Sequence, residues 1–140
     1  MNDAAPPSFA GRWRLSLERS DFGKVPGGPP KRRTDIIEVE GTRIRHSLTQ
    51  VRGAQEIAAV YDYATDGSPT LNRIDGRDVR TIANGEGSEL HLQSTAKLLM
   101  FTVRMDERWS LSPDGRVLTF ARHVRYGIGE ADQTLVFDRE

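Results

Sequence analysis

Short runs of alternating apolar and polar residues, broken at close intervals by turn residues, set the pattern of this chain. Trp13, Leu15 and Leu17 alternate with Arg12, Arg14, Ser16 and Glu18, which places the apolar groups on one face of a strand and the charges on the other. From Thr34 onward turn markers recur: Glu40-Gly41, Arg52-Gly53, Asp66-Gly67, Asp75-Gly76, Asn84-Gly85-Glu86-Gly87 and Pro113-Asp114-Gly115. Such spacing predicts consecutive antiparallel strands in a sandwich or barrel. The predicted strands cover 10–18, 34–40, 43–51, 56–64, 70–74, 78–83, 88–94, 99–111, 116–126 and 132–139.

The clearest hairpin is ERWSLSPDGRVLTFARHVRY, where Pro113 presets φ and Gly115 supplies a positive-φ position. STAKLLMF, residues 94–101, admits a short helical turn instead of a strand end, because Ala96 to Met100 are good helix formers. Between the first two strands, SDFGKVPGGPPKRR combines glycines and prolines that disfavour pairing, and reads as a long loop crossing one end of the fold. Residues 1–8 read as a flexible tail on a single domain spanning 1–140.

Hydrophobic residues make up 36% and charged residues 29% of the chain, which is polar for a globular protein but too apolar for disorder. A modest core follows, with room for a polar or hollow interior. Lys plus Arg balances Asp plus Glu at 20 each, so nothing in the net charge favours nucleic acid or an anionic membrane. There is no cysteine, which excludes a disulfide scaffold, a thiolate metal site and a cysteine nucleophile. No stretch approaches a membrane span, and MNDAAPPSF lacks the basic head and apolar run of a secretory signal. The expected location is cytoplasmic, or extracytoplasmic if a leader was removed.

The stretch FAGRWRLSLERSDFG, followed by its proline-glycine segment, resembles bacterial lipocalin-like proteins of the calycin type. Gly11-Arg12-Trp13 matches the G-x-W of their first strand, and Ser20-Asp21-Phe22 the end of that strand. WSLSPDGRVLTF resembles their penultimate hairpin and LVFDRE their closing strand, so the resemblance rests on both ends of the chain. It implies an all-β, antiparallel lipocalin-like barrel of about 8–10 strands. It also implies that Arg139 lies over Trp13 in a cation–π contact that covers the barrel floor.

A barrel of this size can hold one small ligand if its inward side chains leave space. On strand 99–111, Phe101, Met105, Glu107 and Trp109 share one face; on strand 116–126, Phe120 shares a face with Arg122, which parity brings opposite Glu107. Ile44 and Leu48 flank His46, and Ile57 and Ala59 share a face with Tyr61 and Tyr63. The leading expectation is that a small, largely hydrophobic molecule binds inside, against Tyr61, Tyr63, Phe101, Met105, Trp109 and Phe120, with no cofactor required. A second reading is a cofactor-independent isomerase, cyclase or lyase, with Glu107 or His46 as acid/base and Arg122 as electrostatic partner. Burial can raise a carboxyl pKa toward the useful range. A third is an interaction or inhibitor module presenting Gly27-Gly28-Pro29-Pro30 or the loop near Gly127-Ile128-Gly129.

Each of these residues also has a purely structural reading: Glu107 and Arg122 as a cross-strand ion pair, His46 as a satisfied histidine, the tyrosines as packing. His46, His91 and His123 lack metal-ligand spacing, which leaves haem on a single histidine as the one metal chemistry open to them. No phosphate-binding or nucleophile-elbow motif is present. Edge strands near the termini leave a homodimer open.

Overall fold

A computed structural model describes residues 8–24, 28–98 and 100–140. Ten strands follow one another: β1 (Gly11–Asp21), β2 (Arg32–Glu40), β3 (Arg43–Arg52), β4 (Gln55–Ala64), β5 (Asp66–Ile74), β6 (Arg77–Glu86), β7 (Glu89–Lys97), β8 (Thr102–Leu111), β9 (Val117–Tyr126) and β10 (Gly129–Arg139). They form one antiparallel sheet in the order β4-β3-β2-β1-β10-β9-β8-β7-β6-β5. All ten expected strands are present. The sheet curls into a nearly closed barrel, and the pairing of β1 with β10 brings the two ends of the chain together, with Trp13 opposite Arg139.

The departures from expectation have local causes. Leu17 does not join the core and is 43% exposed. Pairing of β1 with β10 shifts between Ser16 and Asp21, and Ser20 fills the break by donating to the Ser16 carbonyl and accepting from the Val136 N–H. Such a bulge turns the following side chains off the inward face. The helical turn does not form among the described residues of 94–101: β7 runs through Lys97, and the Leu98 N–H donates to the Phe101 carbonyl at 2.8 Å, closing a tight hairpin. The tail expected over 1–8 lies outside the described residues except for Ser8, whose carbonyl accepts from Arg139.

One end of the barrel is filled. Trp13, Trp109, Phe120, Phe137 and Leu118 are fully buried there, with Trp109 stacked on Phe120 at 4.6 Å and Phe120 against Phe137 at 4.8 Å. The Arg139 guanidinium lies 4.2 Å over the Trp13 ring and donates to the carbonyls of Ser8, Ala10 and Gly115. Gly11 makes this possible. Its φ is +147°, and a Cβ there would overlap the Arg139 guanidinium. The triplet Gly11-Arg12-Trp13 is therefore the seat of a floor seal.

Between β4 and β5 the backbone ladder is missing. Asn72, buried on β5, bridges the gap: its Oδ1 accepts from the Asp62 N–H and its Nδ2 donates to the Asp62 carbonyl, both at 2.9 Å. A side-chain carboxamide thus stands in for a peptide group of the absent ladder.

Two consequences can be measured. Gly11→Ala should lower the unfolding free energy by about 2 kcal/mol, from lost cation–π contact and strained φ; a urea midpoint equal to that of the wild type contradicts this. Asn72→Leu should cost about 1–3 kcal/mol for two lost hydrogen bonds. Amide exchange at Asp62 should speed up first, ahead of the β8–β9 hairpin.

Candidate functional site

Above the aromatic floor the barrel is hollow. A cavity of about 340 Å³ is bounded by Leu48, Ile57, Ala59, Val79, Leu92 and Met105 on its apolar sides. Its polar sides are Arg33, His46, Gln50, Tyr61, Tyr63, Ser94, Glu107 and Arg122, with Asp75 at the mouth. Strand alternation accounts for this composition, since each wall residue shares its strand's inward parity.

Two buried ion pairs organise the polar side. Register places Glu107 directly opposite Arg122, whose Nε donates to Glu107 Oε2 at 2.5 Å and whose Nη2 makes an ion-pair contact with the same oxygen at 2.5 Å. Glu107 Oε1 accepts from the Trp109 indole N–H at 2.8 Å, which ties the ion pair to the floor. On β2, Arg33 and Asp35 sit two residues apart on the inward face. Arg33 donates through Nε and Nη2 to both Asp35 oxygens, at 2.8 and 2.9 Å.

His46 on β3 extends the second pair. Its Nε2 is 2.5 Å from Asp35 Oδ2, and its Nδ1 is 3.2 Å from the Tyr63 hydroxyl. An ionised carboxylate only accepts, so Nε2 carries a proton, and in the neutral ring Nδ1 accepts from Tyr63. The imidazole stacks beside Tyr61 at 5.9 Å and meets the edge of Trp109 at 5.1 Å.

Burial alone would raise the Asp35 carboxyl, but the Arg33 charge and hydrogen bonds from Arg33 and His46 outweigh it and hold the carboxyl at about 2. Glu107 behaves the same way: burial pushes it up, while Arg122 and the Trp109 N–H bring it below the ordinary carboxylate value. Burial raises both tyrosines, Tyr63 well above 10, with the Glu107 charge adding to the effect at Tyr63. Both phenols stay protonated and able to donate.

Of the residues singled out from the sequence, His46, Tyr61, Tyr63, Met105, Glu107 and Arg122 stand together around the cavity. Trp109 and Phe120 face inward as expected, but they lie in the packed floor, fully buried beneath the cavity. Phe101 is 41% exposed on the bend before β8 and is not part of the wall. Burial pushes the Glu107 carboxyl up as expected, but the Arg122 charge and the Trp109 N–H hold it below its ordinary value. Arg33, Asp35 and Gln50 were not foreseen as interior residues. The signal lay in the shared parity of Arg33, Asp35 and Ile37, masked by reading Lys31-Arg32-Arg33 as the end of a loop.

The other histidines are on the outer face. His123 Nδ1 is 2.6 Å from Asp132, and His91 lies between Glu86 and Asp106. Among the described residues no group of three or more such side chains could hold a metal ion. Both ring nitrogens of His46 are already engaged, so the histidine that lines the cavity does not present a free axial ligand for haem. No helix among the described residues is long and apolar enough to cross a membrane.

Neither a protein-family model nor a curated protein sequence matches this chain. Solved structures do match in shape. A secretory abundant heat soluble protein from Ramazzottius varieornatus superposes with a TM-score of 0.68 at 10% identity, covering 94% of this chain and 95% of that one. A REP1-NXSQ fatty acid transporter gives 0.64 at 13% identity over 94% and 95%. The zebrafish ileal bile acid-binding protein complexed with cholic acid gives 0.59 at 15% identity over 94% and 98%. The fold is an all-β, nearly closed barrel of ten antiparallel strands, similar in shape to these proteins and to the lipocalin-like barrel expected from the sequence. Ten strands stand at the upper end of the expected range of about 8–10, beyond the eight of lipocalins proper.

The electrostatics fix a pH dependence. A carboxyl whose folded pKa is depressed stabilises the fold above its unfolded value and loses that contribution as pH falls toward the folded value. Asp35, moved from 3.8 to about 2, should therefore contribute about 2 kcal/mol at neutral pH. That contribution should disappear between about pH 4 and pH 2, with Glu107 adding in the same direction. Asp35→Asn leaves Arg33 buried without its counter-charge and should cost about 3–5 kcal/mol at neutral pH. It should also flatten the acid limb of stability measured by urea unfolding. Identical acid slopes in the two proteins would contradict the assignment.

Proposed function

We propose that the protein binds one small, largely apolar molecule in the barrel interior. The observation that carries this reading is the cavity itself: about 340 Å³, walled on one side by aliphatic groups and on the other by a few fixed polar ones. Small-molecule sites have this composition, with volumes of about 300–1,000 Å³. A volume near the bottom of that range favours a compact ligand. The neighbouring folds point the same way, since they include a fatty acid transporter and a barrel complexed with cholic acid.

The acid/base reading loses its geometric basis. Glu107 is held ionised by Arg122 and Trp109, and both His46 nitrogens are occupied. Each proton-transfer atom of the two residues thus already has a partner within the wall. The same network serves binding well, because it keeps the Tyr63 hydroxyl and the His46 ring face in fixed positions.

Aminoanthracene, an uncharged apolar fluorophore, should bind the intact protein with a stoichiometry of one and an emission shifted to the blue. Ala59→Trp projects a large ring into the cavity and should weaken this binding by at least about tenfold, or about 1.4 kcal/mol, without changing the far-ultraviolet spectrum. Equal affinity in the two proteins would place the dye outside the barrel and sink the proposal.

A further inference from the structure

We infer that the interior selects an uncharged ligand that carries a hydrogen-bond donor, and rejects carboxylates. This rests on the interior-binding reading above and specifies the class of molecule. Every strong charge on the inner wall is already neutralised from within. Arg33 spends Nε and Nη2 on the two oxygens of Asp35, and its guanidinium lies 5.5 Å over the Phe137 ring. Arg122 spends Nε and Nη2 on Glu107, and its Nη1 points to Gln133 Oε1 at 3.5 Å. Two guanidiniums and two carboxylates cancel.

An entering carboxylate would find no unpaired cation. Bound beside either arginine it would add a third carboxylate to a wall that has one per guanidinium, leaving one buried anion without a counter-charge, a cost far above that of desolvating a neutral polar group. The mouth adds to this. Asp75 lines it, exposed, and forms no ion pair among the described residues. A cation fares no better inside, because each inner carboxylate already has its counter-charge in an arginine and a further hydrogen bond from Trp109 or His46.

What the wall does offer is neutral. The protonated phenol of Tyr61 can donate to a carbonyl or hydroxyl oxygen, whereas the Tyr63 proton is already given to His46 Nδ1; the two rings run nearly parallel at 5.9 Å and 25°. Gln50 supplies the opposite demand. Its Oε1 is a buried side-chain oxygen with no hydrogen-bond partner, on the cavity wall. A buried acceptor of this kind calls for an N–H or O–H. An amide, a lactam or an alcohol on an apolar frame carries both an acceptor for the phenol and a donor for the carboxamide oxygen.

The test uses a naphthalene carboxamide, carboxylate and carboxamidine substituted at the same ring position, titrated calorimetrically into the intact protein at about pH 8, where the three are neutral, anionic and cationic. The carboxamide should bind at least about tenfold more tightly than either charged probe. Gln50→Leu should weaken the carboxamide about fivefold and leave the carboxylate unchanged. A carboxylate or amidine that equals the carboxamide, while still losing affinity in Ala59→Trp, overturns charge selection and leaves interior binding standing. An unchanged carboxamide affinity in Gln50→Leu overturns the donor requirement. If none of the three binds up to millimolar concentration, the interior-binding reading itself falls.

Discussion

The interior depends on the pairing of Glu107 with Arg122. A carboxylate taken out of water without a partner is expensive enough to unfold a domain of this size, so a hollow barrel that keeps one inside must hold a cation against it. The β8–β9 register does this directly. Trp109 then joins the carboxylate to the aromatic floor through its indole N–H, and Phe120 stacks on Trp109. Floor, ion pair and cavity wall are one connected assembly.

The second pair repeats the logic on the neighbouring part of the wall. Arg33 and Asp35 neutralise each other within a single strand, two residues apart, so their pairing needs no cross-strand register. Asp35 in turn orients His46, and His46 reaches Tyr63 on β4. Polar order thus spreads over β2, β3 and β4 from one carboxylate. Such a network resists rearrangement, because moving any member leaves a buried group unsatisfied. The cavity keeps its shape for that reason, and a wall so fixed suits recognition of one ligand geometry.

How much of this was legible varied with the kind of information required. Parity on β8 and β9 predicted the facing of Glu107 and Arg122, because alternation there is unbroken and the Ser112-to-Gly115 turn sets the register. Parity states which face a side chain occupies but not its depth along the barrel axis. Parity alone therefore assigns Trp109 and Phe120 to the cavity wall although they form the floor. Phe101 was misplaced because β8 begins after it. Asp35 escaped notice because a charged residue next to Ile36 and Ile37 reads as outward unless Arg33 is seen as its partner on the same face. Leu17 follows a bulge, which breaks the period on which the reading depends, and the Asn72 bridge joins strands whose relation is invisible without the closed barrel.

That bridge has a mechanical side. A tube laddered all the way round resists widening equally at every point of its circumference. This one is laddered everywhere except between β4 and β5, where a single carboxamide grips a single peptide unit. Its compliance is concentrated along one line, and the gripped residue, Asp62, sits between Tyr61 and Tyr63. Any widening of the barrel meets least resistance along that β4–β5 line, outside the fixed polar network, while the laddered wall on β8 and β9 resists it.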